Sequence, residues 1–404
     1  MGRPMIAGTP VLDLDDAASL EAADAGGALR SAASGGAQVR ATAAAVGEDA
    51  LARLADLRPR SVVLVSGSGR AARAAGLLVA ALGDRAGLPV VPAAALPPWV
   101  GPLDVVLVSG DDAGDPRLID AVDRALRRGA EVVVAAPHEG PLRAAAAGRA
   151  AVLEPRVRVL GHNRLLRFLA VGIAVLRAVD PQRTGAAVPE LTELADVLDA
   201  EALRDGPHNE VFRNPAKTLA ARMQQRGIVL AGDSPAAAEL AEHGAEVLLQ
   251  SAGKVATAVD LAEAVAARTR MSEAAGESAP DFDPLFHDEE LDGPAPVERI
   301  RVFVLSADRD RAAARRRLAV FGGEGSNLVD ADLVNADVDL LHTEMTDPAA
   351  PAQARDEESA PANGTELEQL AVLALRLEMA AAYLRLIGSR SASADSQGQY
   401  GGSY

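Results

Sequence analysis

Two short loops, each following a β-branched run, hold the side chains best placed for chemistry. The first lies in SVVLVSGSGRAARAAGLLVAALG, residues 61–83, where Gly67, Ser68, Gly69 and Arg70 separate an apolar run at 62–65 from an Ala/Leu segment of helical spacing. The glycines let backbone pass close to a ligand. The helix behind them turns free N–H groups and the positive end of its dipole toward the loop, which suits an anion. Position 72 is Ala, so the dinucleotide fingerprint with its third glycine is not met. The same residues also suit a plain strand-to-helix connector. The second loop, in VVLVSGDDAGDPRLIDA, sets Ser109 and Gly110 ahead of Asp111, Asp112 and Asp115. Those three carboxylates suit either a cation with oxygen ligands or a solvated acidic turn.

Loops of this kind need strands to launch them. The pattern predicts strands at 62–65, near 90, at 104–109, 131–135 and 150–154, with helices running to about residue 82 and over 117–128. Strands separated by helices of this length imply a parallel sheet with right-handed crossovers, whose ligands sit at the carboxyl ends of the strands. Here those ends are residues 66–70 and 109–115. A long apolar helix at 164–179 carries Arg164, Arg167 and Arg177, and another helix is expected at 186–203. After a polar break at 205–212 the pattern restarts. A helix at 214–226 opens with Asn214 as cap and Pro215 at its first position. Then come a strand at 227–231, helices at 235–243 and 255–269, a strand at 300–305, a helix at 309–320 and a last strand at 338–342. The expected fold class is α/β, with two parallel sheets flanked by helices. The expected divisions are an N-terminal extension at 1–46, a first α/β domain at 47–204 and a second at 205–387. The second contains an acidic linker at 346–364 and a strong terminal helix, and a disordered tail is expected at 388–404.

Composition narrows the function classes. The chain has 404 residues and a net charge of -17, which argues against binding nucleic acid or an anionic membrane through a basic surface. It has no cysteine, so disulfides, thiolate metal sites and thiol nucleophiles are excluded. One Trp, three Tyr and six Phe leave the cores to Ala, Val and Leu. No signal-peptide pattern opens the chain, so a cytoplasmic protein is expected. His138, His243 and His342 show no metal-binding spacing. No metal and no cofactor is expected.

The order of these elements resembles the bacterial bifunctional phosphoglucose/phosphomannose isomerase family, built from two sugar isomerase (SIS) domains. Four pieces between about residues 54 and 387 carry the likeness: VVLVSGSGRAARAAG, the Ser109–Gly110 loop with its helix and next strand, RNPAKTLAARMQQRGIVLAG, and DFDPLFHDEELDG before RIRVFVL. The resemblance implies a homodimer that binds a sugar phosphate or related small molecule, with no nucleic acid or membrane partner. It further implies proton transfer between C1 and C2 of an aldose phosphate. Gly67, Ser68, Gly69, Arg70, Ser109, Gly110 and Arg164 fall at substrate-binding positions, and His287, Glu289 and Lys254 at catalytic ones. Arg164 equally suits a helix cap beside His162 and Asn163.

The carry-over is incomplete. The family's carboxylate base falls on Ser251, two phosphate-binding hydroxyls fall on Asp112 and Asp115, and residues 388–404 contain no Lys where the family has one. An ionised carboxylate accepts and cannot donate, so it repels phosphate. The reading is therefore a sugar-phosphate-binding SIS protein of carbohydrate metabolism with an incomplete catalytic set. The alternatives are an active isomerase using an unaligned base and a non-catalytic regulatory or interaction protein. His208, Asn209 and Glu210 spell the family's triplet in the wrong order along the chain and read as an interdomain loop.

Overall fold

A computed structural model of the chain describes residues 12–55, 57–184, 187–224, 226–276, 299–308, 316–321, 328–336, 338–342 and 365–388. Three helices come first: α1 (Ala17–Ala23), α2 (Ala28–Ala32) and α3 (Gly35–Gly47). The first sheet follows as β1 (Ser61–Ser66), α4 (Arg70–Leu82), β2 (Val90–Ala93), β3 (Asp104–Ser109), α5 (Pro116–Arg127), β4 (Glu131–Ala135), α6 (Gly140–Ala146) and β5 (Ala151–Val152). Its order is β2-β1-β3-β4-β5 and every pairing is parallel. Helices α7 (Leu165–Val179), α8 (Pro181–Thr184), α9 (Leu191–Arg204) and α10 (Pro215–Met223) lead to the second half. That half comprises β6 (Gly227–Gly232), α11 (Pro235–Ala252), β7 (Ala256–Asp260), α12 (Leu261–Gly276), β8 (Ile300–Leu305), β9 (Val329–Asn335), β10 (Val338–His342) and α13 (Glu366–Gly388). Its sheet has the order β10-β9-β8-β6-β7, parallel except for the antiparallel edge strand β10. Both halves are thus the expected α/β type.

The strands alternate as period-two patterning requires. Val63, Val65, Val106, Val108, Val132 and Val134 face α5 and α6 in one outer core. Their neighbours Val62, Leu64, Val105, Leu107 and Val133 face inward. In the second sheet Ala231, Val302, Val304, Ala331 and Leu333 form another outer core with Ala264 of α12, while Leu230, Phe303 and Leu305 face inward. One central core therefore serves both sheets. It is filled by α3, α4, α7, α9, α10, α11 and α13, whose Leu and Ala side chains run through it continuously. Helix α13 is buried on every side from Gln369 to Leu384, its mainly apolar surface interrupted by the buried Gln369, Arg376 and Glu378. No helix among the described residues is long and apolar enough to cross a membrane.

Local chemistry sets the helix starts. Asp115, Asn214 and Ser234 each precede a Pro at the first helical position, and each side chain accepts a backbone N–H from the first turn. Several elements depart from expectation. Residues 255–269 were expected as one helix but divide into β7 and α12, because Ala256 to Asp260 pair in parallel register with Ile228 to Gly232. Strand β9 was not expected at all. Its Asp330 and Asp332 look like a solvated face in sequence, yet they are buried against Arg301, Arg222 and Arg226. Helix α3 lay within the expected N-terminal extension, but it packs against α7 and α9 in the central core. Helix α11 continues nine residues past the expected end at 243, to Ala252. The segment expected as a linker at 346–364, the tail expected at 388–404 apart from Gly388, which ends α13, and most of the helix expected at 309–320 lie outside the described residues.

Candidate functional site

Strands β1 and β3 lie side by side, with Ser66 opposite Ser109 at their carboxyl ends. The chain leaves β1 toward β2 on one side, and leaves β3 toward β4 on the other. The crevice between those ends is the topological switch point, where open α/β sheets place ligands. It brings together Gly67, Ser68, Gly69, Ser109 and Gly110, as the sequence predicts. Gly67 and Gly110 sit close against neighbouring side chains. A Cβ on Gly67 would come within 2.8 Å of Asp115 Oδ2, and one on Gly110 within 2.4 Å of Leu118 Cδ1. Gly69 holds φ +65° at the start of α4, with no side chain capping that helix, and Ser68 is exposed beside it.

Arg70 departs from the expected substrate-binding role. Its buried guanidinium is engaged by Glu246 and by Gln250, the latter at 3.1 Å, both on α11 of the other half. Arg73, one turn later, reaches Glu239 at 2.8 Å and Glu246 at 2.9 Å. This pair of arginines fastens the two halves together.

The three acids of the second loop point to three different places. Asp112 Oδ1 accepts the Gly114 N–H at 2.7 Å, and Asp115 Oδ1 accepts the Arg117 N–H at 2.9 Å as the cap of α5. One N–H of the loop and one of the helix start, both within reach of a phosphate bound there, are thus taken by the loop's own carboxylates. Asp111 turns the other way, toward Arg164 at 2.9 Å and Arg167 at 3.6 Å. Among the described residues no cluster of three acidic or histidine side chains is arranged for a metal ion.

Beside this loop, at the carboxyl ends of β3 and β4, lies a pocket of about 430 Å³. Asp111, Arg158, Arg164 and Arg167 line it with Pro137 and Pro155. Arg167 is the deepest of them, with 7% of its side chain exposed. Its Nη2 donates to the Ala135 carbonyl at 3.2 Å, and its guanidinium lies 4.7 Å from the Phe168 ring centre. Burial lowers its pKa to about 10, with Asp111 opposing and Arg164 reinforcing that shift. It remains a cation at neutral pH. Arg164 takes the helix-start position expected for it, and its side chain also lines the pocket. Arg158 and Arg167 were not expected as site residues. The available signal was the spacing of Arg164 and Arg167, which places both on one side of the first turn of α7.

The second half contributes less. Ser251, where the resemblance set the family's base, is buried near the end of α11, and its hydroxyl has no hydrogen-bond partner among the described residues. Lys254 is half-buried just beyond, its backbone N–H donating to Leu248 at 3.1 Å. His287 and Glu289 lie outside the described residues. The His208–Glu210 triplet forms the connection between α9 and α10. Lys217 pins it by donating to the carbonyls of Pro207 and Asn209, each at 2.7 Å, while exposed His208 meets Glu21.

No protein-family model and no curated protein matches this sequence. Solved structures do match its fold. Tagatose-6-phosphate ketose/aldose isomerase from Escherichia coli aligns with a TM-score of 0.54 at 13% identity, over 94% of this chain and 96% of that one. A hypothetical protein from Thermus thermophilus aligns at 0.57 and 13%, over 96% and 95%. A proposed phosphosugar isomerase from Bacillus subtilis aligns at 0.54 and 15%, over 88% and 95%. The fold is the double SIS fold. At these identities the likeness is one of architecture, and the side chains that fill the SIS crevice here are the chain's own.

Proposed function

We propose that this chain binds a sugar phosphate at the carboxyl end of its first sheet, as a divergent double-SIS protein of carbohydrate metabolism. The observation that carries this reading is the arginine-lined pocket beside the switch-point loops. A protein with net charge -17 keeps Arg158, Arg164 and Arg167 together at one concave site, with Asp111 the acid in its lining. Guanidinium groups match phosphate oxygens in geometry and charge.

On this reading the chain is a relative of phosphoglucose/phosphomannose isomerases whose catalytic set is incomplete. A serine at the base position cannot take up a proton near neutral pH without a base of its own, and Ser251 Oγ has no partner among the described residues. The phosphate cradle at α5 is occupied by Asp112 and Asp115. Binding is therefore expected without isomerisation at an enzymatic rate. The homodimer expectation belongs to the same proposal, and a solution mass of one chain would remove it.

Thermal-shift measurements of the full chain against glucose, mannose and fructose 6-phosphates test the reading. A ligand at ~100 times its dissociation constant stabilises by about 2.7 kcal/mol, enough to move the Tm by a readable few degrees. No shift with any hexose phosphate would overturn the binding proposal. Conversion of glucose or mannose 6-phosphate to the fructose isomer at an enzymatic rate would overturn the incomplete-set proposal alone.

A further inference from the structure

We infer that Asp111 is an internal counter-ion seated in the arginine pocket, and that an anionic ligand group displaces it to bind Arg158, Arg164 and Arg167. The site differs from the helix-start cradle at α5, which the chain's own carboxylates fill. This inference rests on the sugar-phosphate reading only for the larger ligand that would carry the anion.

Four observations support it. First, the charges in the pocket lining do not balance: three guanidiniums face the single carboxylate of Asp111. Glu154, on the neighbouring segment, is within 3.6 Å of His138, and Arg158 makes no ion pair among the described residues. Second, Asp111 is held lightly. Both of its ion-pair contacts use Oδ1, and 35% of its side chain is exposed. Third, the pocket is preorganised from below. The Ala135 carbonyl and the Phe168 ring fix the Arg167 guanidinium, so this deepest donor stays in place whether or not Asp111 is there. Fourth, Asp111 is free of the duties that hold its neighbours, since Asp112 and Asp115 accept the loop's backbone N–H groups. Moving Asp111 outward leaves that turn and the cap of α5 intact.

The ligand group that fits is one with several acceptor oxygens, a phosphate or a carboxylate. It would engage all three guanidiniums through separate oxygens, where Asp111 engages two through one oxygen. The buried Arg167 guanidinium favours a doubly charged group over a singly charged one, so phosphate is the stronger competitor.

The test is calorimetric titration of the full chain with inorganic phosphate at low ionic strength, comparing wild type with Asp111→Asn, Asp120→Asn and Arg164→Ala. Asp111→Asn should raise the phosphate affinity by about tenfold or more, equivalent to about 1.4 kcal/mol. Asp120→Asn removes an equal charge from α5 outside the pocket and should leave the affinity within about twofold. Adding Arg164→Ala to Asp111→Asn should abolish the gain. An unchanged or weaker affinity in Asp111→Asn, an equal gain in Asp120→Asn, or a gain that survives Arg164→Ala would each overturn the inference. The two proposals fail separately. If hexose phosphates shift the wild-type Tm but bind wild type and Asp111→Asn equally, the counter-ion inference falls and the binding reading stands. If inorganic phosphate behaves as expected while no hexose phosphate binds, the reverse holds.

Discussion

Asp115 closes the first turn of α5 with its own carboxylate, accepting the Arg117 N–H at 2.9 Å. Replacing Asp115 with Ala should destabilise the protein by about 1 kcal/mol through loss of the cap, while Asp115→Thr should retain most of it. Thermal melts of the two variants give the comparison, and equal losses would show that the cap contributes nothing. The double substitution Asp112→Thr and Asp115→Thr removes two negative charges and restores two donors at the helix start. It should create phosphate affinity there that survives Arg164→Ala, which titration of that triple variant checks. At this scale the placing of the loops was legible. The strand-loop-helix pattern set Gly67 and Gly110 just past the carboxyl ends of β1 and β3, and the Asp-Pro step signals a helix cap. Arg167 was not legible as a pocket residue, because its setting depends on the Ala135 carbonyl and the Phe168 ring, and only the former lies outside its own helix. Arg70 misled because its partners, Glu246 and Gln250, lie on a helix about 180 residues away in sequence.

Between elements, α11 and α13 meet through a fully buried pair, His243 Nε2 and Glu378 Oε1, 3.1 Å apart. Asn163 donates to Glu378 at 2.9 Å and accepts from Ser31 at 2.8 Å, so further elements converge on the same point. Burial pushes the Glu378 pKa up to about 8, against the opposing Asn163 hydrogen bond and Arg70 charge. Burial also lowers His243 well below its ordinary value of 6.5, with Arg70, Arg73 and His162 acting in the same direction. Both groups are thus neutral in the fold near neutral pH. The raised Glu378 contributes stability that is complete below its ordinary value of 4.5 and is lost as pH rises toward 8. The lowered His243 contributes stability that is lost as pH falls below 6.5. Asp205, raised to about 7 chiefly by burial, has lost its contribution by that pH. Between pH 7 and 8, Glu378 therefore dominates among these groups, and stability should fall with a slope of up to about 1.4 kcal/mol per pH unit. Glu378→Gln should flatten that fall, measured as Tm at pH 7 and pH 8. An equally steep fall in the variant would exclude Glu378 as its source. Elements built on β-branched apolar runs, such as β1 and β3 and the Val302–Leu305 part of β8, were plain in the sequence. Strand β9 was not, since the arginines that neutralise Asp330 and Asp332 come from β8 and from the end of α10 onward, and pairing of distant charges leaves no local pattern.

The whole molecule is organised about its central core, which belongs to neither sheet alone. Leu373 lies wholly buried within it on α13. Leu373→Ala should cost about 2–5 kcal/mol and lower one calorimetric transition common to both halves. Two separated transitions would contradict a shared core. The division into two α/β halves was legible from the repeated order of strands and helices, but their fusion was not. Period and composition mark a helix as buried without naming what covers it. The place of α13 has a further consequence during synthesis. A ribosome delivers residues 366–388 after both sheets, so the nascent chain must carry an unfilled slot lined by α9, α10 and α11 until its final helix arrives. Any product cut short before residue 366 keeps that greasy groove open to solvent, and is thereby marked for chaperones and proteases before it could bind any ligand.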